Sequence, residues 1–331
     1  MVNLEPIFIR ERVIQLIRNF FETKKFHEVI TPSMSPGLTI EPNIFPFSTT
    51  WNTNEENKTL YLITSPEVYM KKMLSLGIGN CYSIGKSFRN LEGAGSQHIP
   101  EFLMLEWYRE HANYYALMDD AQEMIGYINS KIKNQKNENN LLSYQGLTID
   151  LSKKWPILSL ETLFSEYSDL KLSEIVDDTL LYKIAEERGY ITKDASWNEL
   201  YDQLFVNEIE SKLPKTPFFL IDFPARTSPL CKVNKNKPYL SERFEMYMFG
   251  MEVANGNNEN TDSKAVKRLF EKENSFRKNN NLPYSEIDEE FIKALEELNG
   301  REYAGVGLGV DRLAMIFANT TDITDIEIFY K

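Results

Sequence analysis

Cysteine is scarce: Cys81 and Cys231 are the two in 331 residues. They form no CxxC spacing and are too few for a disulfide framework. Positive charge is in deficit as well, with 37 Lys and Arg against 49 Asp and Glu and a formal net charge of −12. Proteins that live on phosphate contacts are usually basic, so broad nucleic-acid binding by the body of the chain is disfavoured. The best candidate for a local basic patch is KAVKRLFEKENSFRK, Lys264 to Lys278, which reads first as a solvated amphipathic helix. Long apolar runs are missing too, so no membrane-spanning helix is visible, and no membrane partner is expected. The start, MVNLEPIFIRER, lacks an apolar stretch followed by a cleavage site. A cytoplasmic location is the default expectation. No internal repeat is visible.

What remains is ordinary soluble composition, 42% hydrophobic and 26% charged, in a chain long enough to bury a sizeable core. Ile9, Val13, Leu16, Ile17, Phe20 and Phe21 recur at helical spacing and predict a first helix. A strand is expected over Phe26 to Ile30, stopped at Thr31-Pro32. The polar run KIKNQKNENN, Lys131 to Asn140, reads as a loop or frayed helix end. Residues from about 150 to 213 read as helices inserted into or beside a sheet. The remainder is expected to be strand-rich until a final helix after Asp311. This order predicts an α+β architecture, an antiparallel sheet flanked by helices.

Three constellations carry chemistry. YSIGKSFRN and EFLMLEWYRE flank the loop LEGAGSQHIP and predict a long-looped antiparallel hairpin. Alternation puts Leu103, Leu105 and Trp107 on one face and Phe102, Met104, Glu106 and Tyr108 on the other. Arg89, at the end of the first strand, has the fork geometry for a phosphate, although such residues are often only solvated or paired. The second constellation, RFEMYMFGMEVAN, predicts a hairpin turning at Phe249-Gly250. Phe244, Met246, Met248, Met251 and Val253 then form an apolar side, and Glu245, Tyr247 and Glu252 share the other. Two carboxylates projecting together call for a cation, and beside phosphates Mg²⁺ suits them. The alternative is an exposed face with independent charges. The third, AGVGLGVDRLAMIFAN, alternates Gly305, Gly307 and Gly309, leaving one strand face bare enough for a flat ligand. A helix begins near Asp311 with Arg312 in its first turn and Leu313, Ile316 and Phe317 on its buried side. A Rossmann phosphate loop fits poorly, because no βαβ unit follows.

In order, the phrases TSPEVYMKKML, SFRN, PEFLMLEWYRE, ERFEMYMFGMEVANG and GVGLGVDRLAM resemble the class II aminoacyl-tRNA synthetases. The resemblance runs from about residue 8 to 330. It is to lysyl-tRNA synthetases and most of all to their truncated paralogues, the elongation factor P–(R)-β-lysine ligases. It implies one catalytic domain over 1–331 with a helical insertion at about 150–213 and no anticodon-binding barrel. A homodimer built on motif 1, FFETKKFHEVITPSMS, is implied too. Arg89 would hold the ATP α-phosphate, Phe102 would stack on adenine, and His98 would lie near the outer phosphates. Arg312 would grip the γ-phosphate, with Asn90, Glu92, Val253 and Gly309 beside the nucleotide. Glu245 and Glu252 would carry Mg²⁺. Ser65, Glu67, Glu106, Tyr108, Asn255 and Glu259 would line the amino-acid pocket, Glu259 and Tyr108 reading the side-chain ammonium. The implied reaction is adenylation of lysine or (R)-β-lysine, then transfer to a lysine of elongation factor P rather than to tRNA. Other acceptors, and a non-catalytic sensor of lysine or nucleotide, are the alternatives.

Several positions depart from the pattern. Leu91 stands in place of a glutamate, for which Glu92 could substitute. Gln97 and Ile99 flank His98 in place of an arginine and an asparagine, and Asn257-Asn258 replace an aromatic and a histidine. Gly307 matches the synthetases, where the ligases carry alanine, and TSPLCK (Thr227 to Lys232) also reads as synthetase-like.

Overall fold

The computed structural model describes residues 3–93, 95–132 and 140–330. An eight-stranded sheet forms its centre, running from edge to edge through His27–Glu28, Cys81–Phe88, Glu101–Glu110, Tyr303–Gly309, Met251–Asn258, Arg243–Met248, Phe218–Ile221 and Ile157–Ser159. The six inner strands pair antiparallel, and each edge strand pairs parallel with its neighbour. The expected α+β class holds.

One face of the sheet is packed by three helices, Glu5–Thr23, Tyr114–Ile132 and Val310–Ala318. Pro6 sits in the first turn of the first helix, where an absent N–H costs nothing. Val13, Leu16, Ile17, Phe20 and Phe21 of that helix meet Leu105, Trp107, Leu313 and Ile316 in one core. The apolar side of the second hairpin, Phe244, Met246, Met248, Met251 and Val253, belongs to the same core. Burying this face forces the polar alternates, Glu106 and Glu245 among them, to the opposite side.

Helices Leu160–Ser168, Leu172–Ile175, Asp178–Glu187 and Trp197–Leu204 form the expected helical segment, with its own core over the Phe218–Ile221 end of the sheet. The segment is preceded by the strand Ile157–Ser159, which extends the main sheet. A five-residue π-helical stretch, Phe205–Ile209, follows its last α-helix.

Two expectations need correction. The strand anticipated over Phe26 to Ile30 is two residues long, His27–Glu28. It lies at a sheet edge and leaves Ile30 93% exposed, so no second face holds it extended. The stretch before Asp311 is not uniformly strand-rich: helices Ser263–Asn279 and Glu289–Leu298 intervene. Asp262 and Asp288 cap them by accepting the N–H groups of Ala265 and Phe291. The run from Lys264 is thus an amphipathic helix burying Val266, Phe270, Asn274 and Arg277. The polar run at 131–140 begins inside the helix ending at Ile132, and 133–139 lie outside the described residues.

Candidate active site

The site lies on the sheet face opposite the three-helix core. Along Glu101–Glu110, Phe102, Met104, Glu106 and Tyr108 point into a cavity of about 480 Å³. The neighbouring hairpin supplies more of the wall. Its turn residues Phe249 and Gly250 take φ of 54° and 81°, the mirror-image two-residue turn that matches strand twist. Tyr247 pairs with Glu252, but beyond them the register shifts and Glu245 pairs with Asn255. The extra residue, Val253, is a β-bulge. It lets Val253 and Ala254 both contribute to the core while Glu252 and Asn255, three apart, both line the cavity.

At one end the cavity is acidic. Glu67, Glu106 and Glu259 converge there with Tyr108, whose hydroxyl donates to Glu106 Oε1. Burial pushes the Glu67 carboxyl up to about 7 against the lowering pull of Lys71, with Glu41 and Glu259 adding repulsion. Burial likewise raises Glu106 well above the carboxylate range and raises Glu259. Lys71 donates to Glu67 Oε1 and its ammonium lies 2.6 Å from Glu259 Oε2. Burial alone would lower Lys71, but the two carboxylates hold it above its ordinary value. Ser65, just before this helix, accepts the Glu67 N–H at 3.3 Å.

The glycine-alternating strand passes behind these acids. A Cβ on Gly305 would stand 2.3 Å from Tyr108 Cε1 and 2.5 Å from Glu259 Oε1. The expectation that a flat ligand lies on this bare face is therefore corrected at Gly305, where the protein's own tyrosine and glutamate occupy the space. At Gly307 a Cβ would meet only Met104 Sδ at 3.5 Å, and at Gly309 Arg312 Cβ at 3.7 Å.

The other end is cationic. Arg89 follows the strand Cys81–Phe88, held by its N–H to the Pro100 carbonyl at 3.0 Å. Its guanidinium lies 5.2 Å from the Phe102 ring centroid, with Glu92 Oε1 at 3.9 Å. Arg312, in the first turn of Val310–Ala318, donates to the Glu252 carbonyl at 2.9 Å and to His98 Nε2 at 2.6 Å. Arginine has no acceptor, so His98 must accept. Burial and then Arg312 hold His98 below its ordinary value, consistent with a neutral ring. The Gln97 carbonyl accepts Arg312 Nε at 3.4 Å. Ile99, next to His98, is buried against Met315 and Ile323 and also lines the cavity.

Between the ends stand Glu245 and Glu252. Arg243 donates to Glu245 Oε1 at 2.7 Å and the Tyr247 hydroxyl to Oε2 at 2.9 Å. Burial and then Glu252 push the Glu245 carboxyl up to about 7. Two hard oxygen donors under mutual repulsion suit a divalent cation shared with phosphate oxygens. No cluster of three or more metal-ligating side chains occurs among the described residues, so phosphate would have to complete such a site.

Fifteen of the expected site residues thus line one cavity; Asn90 does not. Its side chain is engaged locally, donating to the Pro46 carbonyl at 3.4 Å and accepting the Leu91 N–H at 2.9 Å. Sequence reasoning missed Lys71, Arg243, Glu41 and the helical segment's Asn198, Tyr201 and Phe205, which join the site. The Tyr201 hydroxyl is buried without a hydrogen-bond partner among the described residues. Lys71 follows Glu67 by four residues on a helix and Arg243 precedes Glu245 by two on a strand, and both spacings were readable. Nothing in the sequence placed Tyr201 over the cavity.

The family model for class II tRNA synthetases (D, K and N) matches residues 3–331. The chain is 35% identical over 332 residues to the elongation factor P–(R)-beta-lysine ligase of Buchnera aphidicola subsp. Schizaphis graminum, covering 99% of this chain and 96% of that protein. It is 33% identical over 329 residues to the lysine–tRNA ligase of Carboxydothermus hydrogenoformans, covering 98% of this chain and 65% of that enzyme. The lysine–tRNA ligase of Coxiella burnetii gives 33% identity, with 97% of this chain and 63% of that enzyme covered. The chain therefore spans a little under two thirds of the length of these lysine–tRNA ligases. With this match over nearly its whole length, the chain belongs to the class II tRNA synthetase family of the D, K and N type.

Proposed function

We propose that the chain activates lysine or (R)-β-lysine with ATP as an aminoacyl-adenylate and transfers it to a lysine side chain of elongation factor P. The observation that carries the reading is one cavity with two opposite ends. Buried Glu67, Glu106 and Glu259 suit ammonium groups, and Arg89, His98 and Arg312 suit phosphates. A buried ammonium needs such partners, and unpaired burial is costly. Full-length similarity to an elongation factor P–(R)-beta-lysine ligase supports the choice of acceptor.

The substrate carboxylate attacks the α-phosphorus in line, forming the acyl–phosphate bond as the bond to pyrophosphate breaks. Positioning and charge neutralisation drive this step, with no covalent enzyme intermediate. Phe102 would stack on adenine and Arg89, 5.2 Å from that ring, would hold the α-phosphate, while Arg312 would take the γ-phosphate. Glu245 and Glu252 would hold Mg²⁺, which supplies further neutralisation of phosphate charge when bound. In the second step the acceptor amine attacks the carbonyl carbon, and AMP leaves. Asn255, at the junction of the two ends, would orient the substrate. Gly307 leaves both lysine isomers open, because nothing there crowds the cavity. A cytoplasmic homodimer is part of the proposal.

The test is transfer of labelled lysine and (R)-β-lysine to purified elongation factor P. Label on the wild-type factor, lost when its acceptor lysine is replaced by arginine, is expected. Label on tRNA and none on the factor would overturn the acceptor.

A further inference from the structure

The acidic end of the cavity contains a cation of its own. Lys71 and Glu67 are four apart on the helix Glu67–Ser75 and leave the same face. Lys71 is 1% exposed, and the Phe291 ring covers its ammonium at 5.8 Å. It donates to one oxygen of Glu67 and lies 2.6 Å from one oxygen of Glu259. Each carboxylate has a second oxygen. That of Glu259, Oε1, lies against Gly305 beside the Tyr108 ring. The other titratable groups facing these acids are Glu106 and Tyr108 from the adjacent strand, Glu41 from the loop beyond, and the Cys231 thiol.

We propose that Lys71 is a positioning and specificity-setting residue for the ammonium site. It locks one oxygen of Glu67 and one of Glu259, and so fixes both carboxylates in direction for the substrate ammonium. The inference rests on reading the cavity as a lysine site. Physical chemistry gives Lys71 a second effect besides orientation. Three buried acids without a resident cation take up protons rather than remain charged together. A neutral carboxyl is a poor partner for an ammonium. Even with Lys71 present, burial keeps Glu67 at about 7. Removing the cation raises these acids further. Substrate binding needs them ionised, so affinity rises with pH through their titration, and loss of Lys71 moves that rise to higher pH.

The test measures KM for lysine and for ATP in ATP–pyrophosphate exchange, from about pH 6 to about pH 9, below the titration of lysine's own side chain. Wild type, Lys71→Met and Lys71→Arg are compared. Lys71→Met is expected to raise the lysine KM about 100-fold near neutrality. It should also displace the pH midpoint upward by about one unit or more. Lys71→Arg should keep the wild-type midpoint, and the ATP KM should not move in either variant. If Lys71→Met does not fold, Lys71→Gln, polar but uncharged, gives the same readout. A loss equal at every pH, with the midpoint unmoved, would reduce Lys71 to packing and overturn the proposal. A folded wild type with no lysine-dependent exchange at any pH is a different result and would sink the reading of the cavity itself.

Discussion

The two ends of the cavity hold charge in opposite ways. At the acidic end Lys71 ties Glu67 to Glu259, Tyr108 ties to Glu106, and Tyr108 and Glu259 pack against Gly305. At the cationic end Arg89 and Arg312 rest on backbone carbonyls, a ring face, a histidine and, at 3.9 Å, the Glu92 carboxylate, and the Arg89 side chain stays 25% exposed. The first is a preformed socket that cannot re-aim without leaving a buried charge unpaired. The second stays partly open to solvent at Arg89. Selectivity should therefore reside in the socket and rate in the arginines.

The largest effect should come from the cationic end. Arg312→Ala should lower the exchange rate about 10³-fold, since it removes charge stabilisation at the leaving phosphates. A loss under tenfold in exchange kinetics would break the contrast. Glu259→Gln should lower kcat/KM for lysine about 10²-fold and leave the ATP KM unchanged. Equal changes in both constants would mean the ends are not separable. Gly305→Ala should destabilise the fold by about 1–3 kcal/mol through overpacking against Tyr108 and Glu259, read by denaturant unfolding. It should weaken lysine binding before ATP binding.

A finer probe is the pH dependence of stability. Glu245 is held up at about 7 by burial and Glu252, against about 4.3 for an ordinary glutamate. Between these values the folded state binds more protons than the unfolded one, so this group's contribution to stability falls as pH rises. Glu245→Gln should accordingly gain on wild type by about 1–2 kcal/mol as pH rises from about 5 to about 8. A gap that shrinks with rising pH would contradict the burial argument. The smallest effect belongs to Gly307→Ala, whose Cβ meets Met104 at an ordinary distance. Stability should move by no more than about 0.5 kcal/mol, while the relative use of the two lysine isomers shifts.

Alternation of apolar and polar residues made much of the site legible. Leu103, Leu105 and Trp107 had to face the core, which left Met104, Glu106 and Tyr108 for the cavity. The same pattern placed Glu245 and Glu252 together. It could not place Asn255, because strict alternation puts residues three apart on opposite faces and the Val253 bulge alone restores it. Helix Glu289–Leu298 went unread although Phe291, Ile292, Leu295 and Leu298 repeat at helical spacing. The strand at Phe26 to Ile30 was overread because edge strands receive packing from one side. Tyr201 and Phe205 reach the cavity through docking of the helical segment, a tertiary event with no local signature. The role of the glycine strand was also inverted at Gly305, where bareness admits a protein side chain rather than a ligand.

The most direct test of the central claim is amino-acid-dependent ATP–pyrophosphate exchange with lysine, (R)-β-lysine and the other amino acids in parallel. Exchange with a lysine isomer and with no uncharged amino acid is the predicted result. A folded protein that binds ATP yet exchanges with none of them would contradict an adenylating enzyme and leave a sensor of lysine or nucleotide in its place.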